Sequence, residues 1–70
     1  MKDCDQVKVL VDRQKYLKNG VCKGMIGTIV VDEPVNGEWL VYFSDHTGSD
    51  IAEASIKEED LEVIRSSKLN

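Results

Sequence analysis

The sequence predicts an all-β domain whose five short strands curl around one core. Three observations carry that expectation: apolar residues recur at every second position near both ends of the chain, an Asn-Gly pair separates two β-type runs, and the run after that pair is apolar on both faces. With 70 residues, 41% of them hydrophobic and 31% charged, the chain has material for one core and not for two. A domain of this size buries only about 60% of its unfolded surface, so its stability margin is thin.

The first strand is expected over Val7-Lys8-Val9-Leu10-Val11, where three valines alternate and β-branched side chains dominate. Asp12 to Lys23 then reads as a long polar loop with an Asn19-Gly20 pair suited to positive φ, pinned to the core by Tyr16, Leu17 and Val21. Ile26 to Val31 is the second strand, and Gly24 and Gly27 mark a bend or a close backbone approach beside it. Asn36-Gly37 predicts a hairpin, which makes strands two and three antiparallel neighbours. In the third strand, Glu38 to Ser44, Trp39, Val41 and Phe43 point one way and Leu40 and Tyr42 the other, as in a barrel strand that bends to serve two faces. Asp45 to Ser49 is a polar loop, and Asp50 to Ile56 alternates as strand four. Lys57-Glu58-Glu59-Asp60 is too short for an α-helix and suits one 3₁₀ turn, after which Leu61 to Ile64 closes the sheet and Arg65 to Asn70 trails as a frayed tail.

Five strands, a long loop after the first and a one-turn element before the last form the plan of a five-stranded SH3-like barrel. Val7-Lys8-Val9 followed by Lys23-Gly24-Met25-Ile26-Gly27-Thr28-Ile29-Val30 resembles the first two strands of KOW-type domains, where a G-x-x-G-x-[IV] stretch leads into strand two. The ending Lys57 to Ile64 is similar to the close of small, uncharacterised bacterial SH3-like proteins. The resemblance spans residues 7–64, and it implies a nucleic-acid or ribosome-associated role, because KOW-type domains belong to ribosomal and transcription proteins. In this chain the glycines enclose Met25 and Ile26 and lead into no helix N-terminus, so they read as structural and not as a phosphate cradle.

Charge is uneven along the chain. Arg13, Lys15, Lys18 and Lys23 stand in a run with no acidic residue, whereas Asp32 to Glu62 holds ten carboxylates against the single basic residue Lys57. With a net charge of −4, an electrically two-sided molecule is expected. Two binding readings follow. In the first, the domain is a non-catalytic protein-binding module whose acidic side, with Asp32, Glu33, Glu38, Asp45 and Asp50, docks a basic partner, and Trp39 or Tyr42 anchors the contact. Sequestering a cationic nuclease, and so neutralising a toxin, is one form this would take. In the alternative, Arg13, Lys15, Lys18 and Lys23 hold phosphates while Tyr16 stacks on a base. A sequence pI near 4.8 opposes the alternative.

Enzyme and metal chemistry find little footing. Ser44-Asp45-His46 has the residue types of a hydrolytic triad, but neighbours in one loop cannot form the relay from nucleophile to base to orienting acid. The soft metal ligands are Cys4, Cys22 and His46, without zinc-site spacing. Asp45, Thr47, Ser49 and Asp50 have some flavour of a calcium loop but lack its terminal glutamate. No cofactor motif occurs. Cys4 and Cys22 are expected as buried free thiols, which with the absence of a signal-like N-terminus and of a membrane-length apolar run makes the expected location cytoplasmic.

Overall fold

A computed structural model describes residues 1–44 and 50–66, with the backbone alone for residues 50 and 51. Its strands are β1 (Gln6–Val9), β2 (Ile26–Ile29), β3 (Glu38–Ser44), β4 (Asp50–Lys57) and β5 (Leu61–Arg65), with one 3₁₀ turn at Glu58–Asp60. They form a single antiparallel sheet in the order β4-β3-β2-β1-β5. The sheet stays open, with β4 and β5 at its two edges.

Alternation decides which side of each strand is buried. Val7 and Val9 of β1, Ile29 of β2, Trp39, Val41 and Phe43 of β3, and Ala54 and Ile56 of β4 share one core with Leu61 of β5. Both edge strands thus contribute to the same cluster, which requires the sheet to bend about it. Val11 and Ala52 pack against this core from its margin. The radius of gyration is 11.2 Å, against the roughly 11 Å expected of a compact chain of this length.

The segment read from sequence as a plain loop contains a short helix, α1 (Gln14–Leu17). It is one turn, in which the Arg13 carbonyl accepts from the N–H groups of Tyr16 and Leu17, so it is too short to leave a periodic signature. Gly20, at φ +80°, ends it: the N–H groups of Gly20 and Val21 reach back to the carbonyls of Leu17 and Tyr16 in a Schellman arrangement. Tyr16 and Val21 are fully buried and seal one side of the core, whereas Leu17, also expected to pin the loop, is half exposed. One turn directs only one of two adjacent side chains inward, and Tyr16 takes that place.

The Asn36-Gly37 pair forms the expected hairpin turn, with both residues at positive φ and Val35 bridged to Glu38, a type I′ geometry. The β2–β3 ladder does not run straight from this turn. Val35 pairs with Glu38 but Ile29 with Val41, so the chain bulges between Val30 and Pro34 before the hairpin closes. The bulge carries Asp32 and Glu33 into solvent.

The two glycines near β2 have different reasons. Gly24 occupies the third position of the turn Cys22–Met25 at φ +93°, where an L side chain is strained. Gly27 has no such dihedral. A Cβ there would lie 2.7 Å from the Tyr42 carbonyl oxygen and 2.7 Å from Val41 Cγ1, because the adjoining strand β3 packs tightly against this position. Gly27→Ala is therefore expected to lower stability by about 1–3 kcal/mol through overpacking against backbone, measured as a shift in the urea midpoint. A Gly27→Ala protein as stable as the parent would contradict this packing.

Candidate protein-interaction surface

The strongest electrostatic feature is a carboxylate inside the protein. Asp60 ends the 3₁₀ turn and is 3% exposed. Arg13 donates to it through both Nε and Nη2, the latter at 3.1 Å, and the Tyr16 hydroxyl donates to Oδ2 at 2.7 Å. The same hydroxyl accepts the Lys57 N–H at 3.0 Å, and the Asp60 carbonyl accepts the Leu10 N–H at 2.9 Å. One residue thereby joins the end of β1, the long loop and the β4–β5 connection. Burying a carboxylate is unfavourable, and here three charge-directed donors offset that cost. The Arg13 bonds lower the Asp60 pKa against the opposing effect of burial, while burial and then the bond to Asp60 raise that of Tyr16.

The basic and acidic runs meet in space. Lys15 Nζ, seated 5.8 Å from the Tyr16 ring centroid, is ion-paired with Glu38, and Arg13 is paired with Asp60. Two of the four cations in the basic run are therefore bound by carboxylates of the acidic half, and the expected two-sided molecule is corrected to a partly interleaved one. Lys18 and Lys23 remain exposed and make no ion pair among the described residues. Tyr16 lies in the core, so its ring offers no stacking surface.

The acidic candidates are placed as follows. Asp32 and Glu33 are exposed on the β2–β3 bulge, and Glu38 is half-buried against Lys15. Trp39 is a core residue, 4% exposed, whose Nε1 donates to Glu58 at 3.0 Å. Tyr42 is half-buried on the outer side of β3, where it pairs in register with Thr28 and Glu53. Asp50 begins β4 opposite Ser44, and Asp45, His46, Thr47 and Ser49 lie outside the described residues, as does the tail from 67 onward. Sequence reasoning overlooked Glu53 as part of an outward surface, and it overlooked Asp60 as a buried partner. For Asp60 the available signal was an aspartate immediately before the core residue Leu61.

The thiols also depart from expectation. Cys4 and Cys22 are both exposed and free. Cys4 sits at φ +72° in an N-terminal turn that Asp5 closes by accepting the Lys2 N–H, and that conformation aims its side chain away from the core. Asp3 foremost, with Asp5 and Asp32, raises the Cys4 pKa, so this thiol is poorly disposed to ionise. Among the described residues no group of three or more His, Cys, Asp or Glu side chains is assembled to hold a metal, and no helix is long and apolar enough to cross a membrane.

Tyr16→Phe removes one donor from Asp60 and the acceptor of the Lys57 N–H, and is expected to cost about 1–3 kcal/mol. The linked pH dependence has a definite sign. Because Asp60 has its pKa depressed on folding, its contribution is present above the unfolded carboxyl value of about 3.9 and is lost as pH falls through the lower folded value. The stability gap between the parent and Asp60→Asn, measured by urea unfolding, should therefore be full at neutral pH and shrink below about pH 4; a gap that persists undiminished in acid would contradict the assignment.

The chain matches no protein-family model, and comparison with curated proteins and with solved structures yields no match either.

Proposed function

We propose that the five strands make up an SH3-like barrel and that the domain is a non-catalytic module which binds a basic protein through its solvent-facing carboxylates. The observation that carries this reading is the disposition of charge. Arg13 and Lys15 are each held in an ion pair with a carboxylate of this chain, whereas Asp32, Glu33 and Glu53 face solvent without an ion pair among the described residues. Exposed carboxylates of this kind speed encounter with a cationic surface and repel a polyanion.

Burial of Tyr16 adds to the argument, since the nucleic-acid alternative needs that ring for stacking. What remains to the alternative is Lys18 and Lys23, two solvated cations against a net charge of −4. Phosphate contact through so few groups gives weak, steeply salt-dependent attraction.

Two measurements test the reading. A labelled single-stranded RNA titrated at low ionic strength should give no saturable anisotropy change, and Lys18→Ala/Lys23→Ala should alter nothing; saturable binding that this variant abolishes would contradict the proposal. In affinity capture from the source lysate, a basic protein retained by the parent should be lost by Asp32→Lys/Glu33→Lys, and equal retention by both would count against a carboxylate-mediated contact.

A further inference from the structure

Two Asn-Gly dipeptides occur in the chain, Asn19-Gly20 and Asn36-Gly37, and the fold holds them differently. In such a pair the glycine nitrogen can attack the asparagine side-chain amide, because a glycine with no Cβ leaves that approach unhindered. The attack closes a five-membered ring, so the nitrogen must first eclipse the asparagine Cβ. That eclipse needs an Asn ψ of about −120°, the value at the first central position of a type II′ turn.

Asn36 is one peptide rotation from this geometry. It is exposed and sits at φ +54° in a type I′ turn. Types I′ and II′ share a positive φ at the first central residue and differ by a flip of the peptide plane between the two central residues. The flip leaves both Val35–Glu38 backbone hydrogen bonds in place, at 2.9 and 3.0 Å. Among the described residues, neither the Asn36 carbonyl, the Gly37 N–H nor the Asn36 side chain makes a hydrogen bond, so nothing there restrains the plane. The bond from the Glu58 N–H to the Gly37 carbonyl, at 3.2 Å, belongs to the next peptide plane. Gly37 accepts the negative φ that the flip demands.

Asn19-Gly20 is held at both reacting groups. Asn19 Nδ2 donates to the Lys15 carbonyl at 3.0 Å, and the Gly20 N–H donates to the Leu17 carbonyl at 3.0 Å. The Gly20 φ of +80° also turns the chain so that Val21 enters the core. Ring closure at Asn19 therefore requires the end of α1 to come apart.

We propose that Asn36 is a site of spontaneous covalent modification through a cyclic imide with Gly37, and that the fold protects Asn19 from the same reaction. The Gly37 nitrogen bonds to Asn36 Cγ, the Cγ–Nδ2 bond breaks, and the Gly37 amide proton departs with the side-chain nitrogen as ammonia. Water then opens the imide at either carbonyl. Opening at Cγ gives aspartate, and opening at the backbone carbonyl gives isoaspartate, with the main chain rerouted through Cβ. Both products add a carboxylate to the hairpin that Asp32 and Glu33 lead into. The aspartyl product keeps a pair suited to a type I′ turn, whereas the isoaspartyl product lengthens the two-residue loop by one bond and no longer fits it.

The test incubates the folded protein in warm, mildly alkaline buffer and follows both sites by peptide mapping with mass spectrometry, using hydroxylamine to cleave the chain at any imide formed. Asn36 should convert about tenfold or more faster than Asn19, where two hydrogen bonds must break first. In urea sufficient to unfold the chain the two rates should converge. Global unfolding exposes both dipeptides alike, so Asn19 gauges that route within the same sample. Asn36→Gln, which would need a larger ring, should lose the hydroxylamine cut between residues 36 and 37. Equal rates at the two sites in the folded protein, faster conversion at Asn19, or an Asn36 that reacts only once the chain is unfolded would overturn the proposal.

Discussion

The buried Asp60 carboxylate is the contact on which the rest of the molecule depends. A single 70-residue chain has few ways to seal a bent five-stranded sheet, and this one closes its open side with a loop whose only deep anchors are Tyr16 and Val21. Asp60 fixes that loop by accepting from Arg13 and Tyr16 at once, while its own backbone holds the end of β1. Tyr16 has two jobs in this arrangement. Its ring fills the core, and its hydroxyl bonds both the buried Asp60 carboxylate and the part-buried Lys57 N–H.

The functional consequence follows from the same contact. Cations that look available in the sequence are used to hold the loop down, and their counter-charges come from the acidic half of the chain. Glu38 takes Lys15 and Asp60 takes Arg13, so the residues left to solvent carry an excess of negative charge. An acidic exterior and an apolar outer seam are then two aspects of one economy of residues. The sheet turns Ile29, Val41 and Phe43 inward and leaves Ile26, Val30 and Leu40 on its outer side.

Much of the fold was legible in the residues because period-two alternation is a local signal. Val7, Val9 and Val11, the Asn36-Gly37 turn, and Leu61 after a charged one-turn element each announce themselves within a few positions. Strand two shows where that signal ends. Ile26-Gly27-Thr28-Ile29-Val30-Val31 is apolar in both phases, so which phase is buried depends on Gly27 meeting β3, a contact between distant segments. The candidate site was less legible for the same reason. Arg13 and Asp60 are 47 residues apart, and nothing near either one marks it as the other's partner. Helix α1 was hidden by its brevity, and the exposure of Cys4 by a turn whose positive φ falls on a non-glycine residue.

The central claim is that Asp60 and the long loop act as one cooperative clasp. A double-mutant cycle on Tyr16→Phe and Asp60→Asn, read by urea unfolding at neutral pH, tests it most directly. The two losses should fall short of additivity by about 0.5–3 kcal/mol, the range for residues that share one network. Additive losses would mean that the loop and the 3₁₀ turn are held independently, and the assignment of the basic run to folding would fail with them.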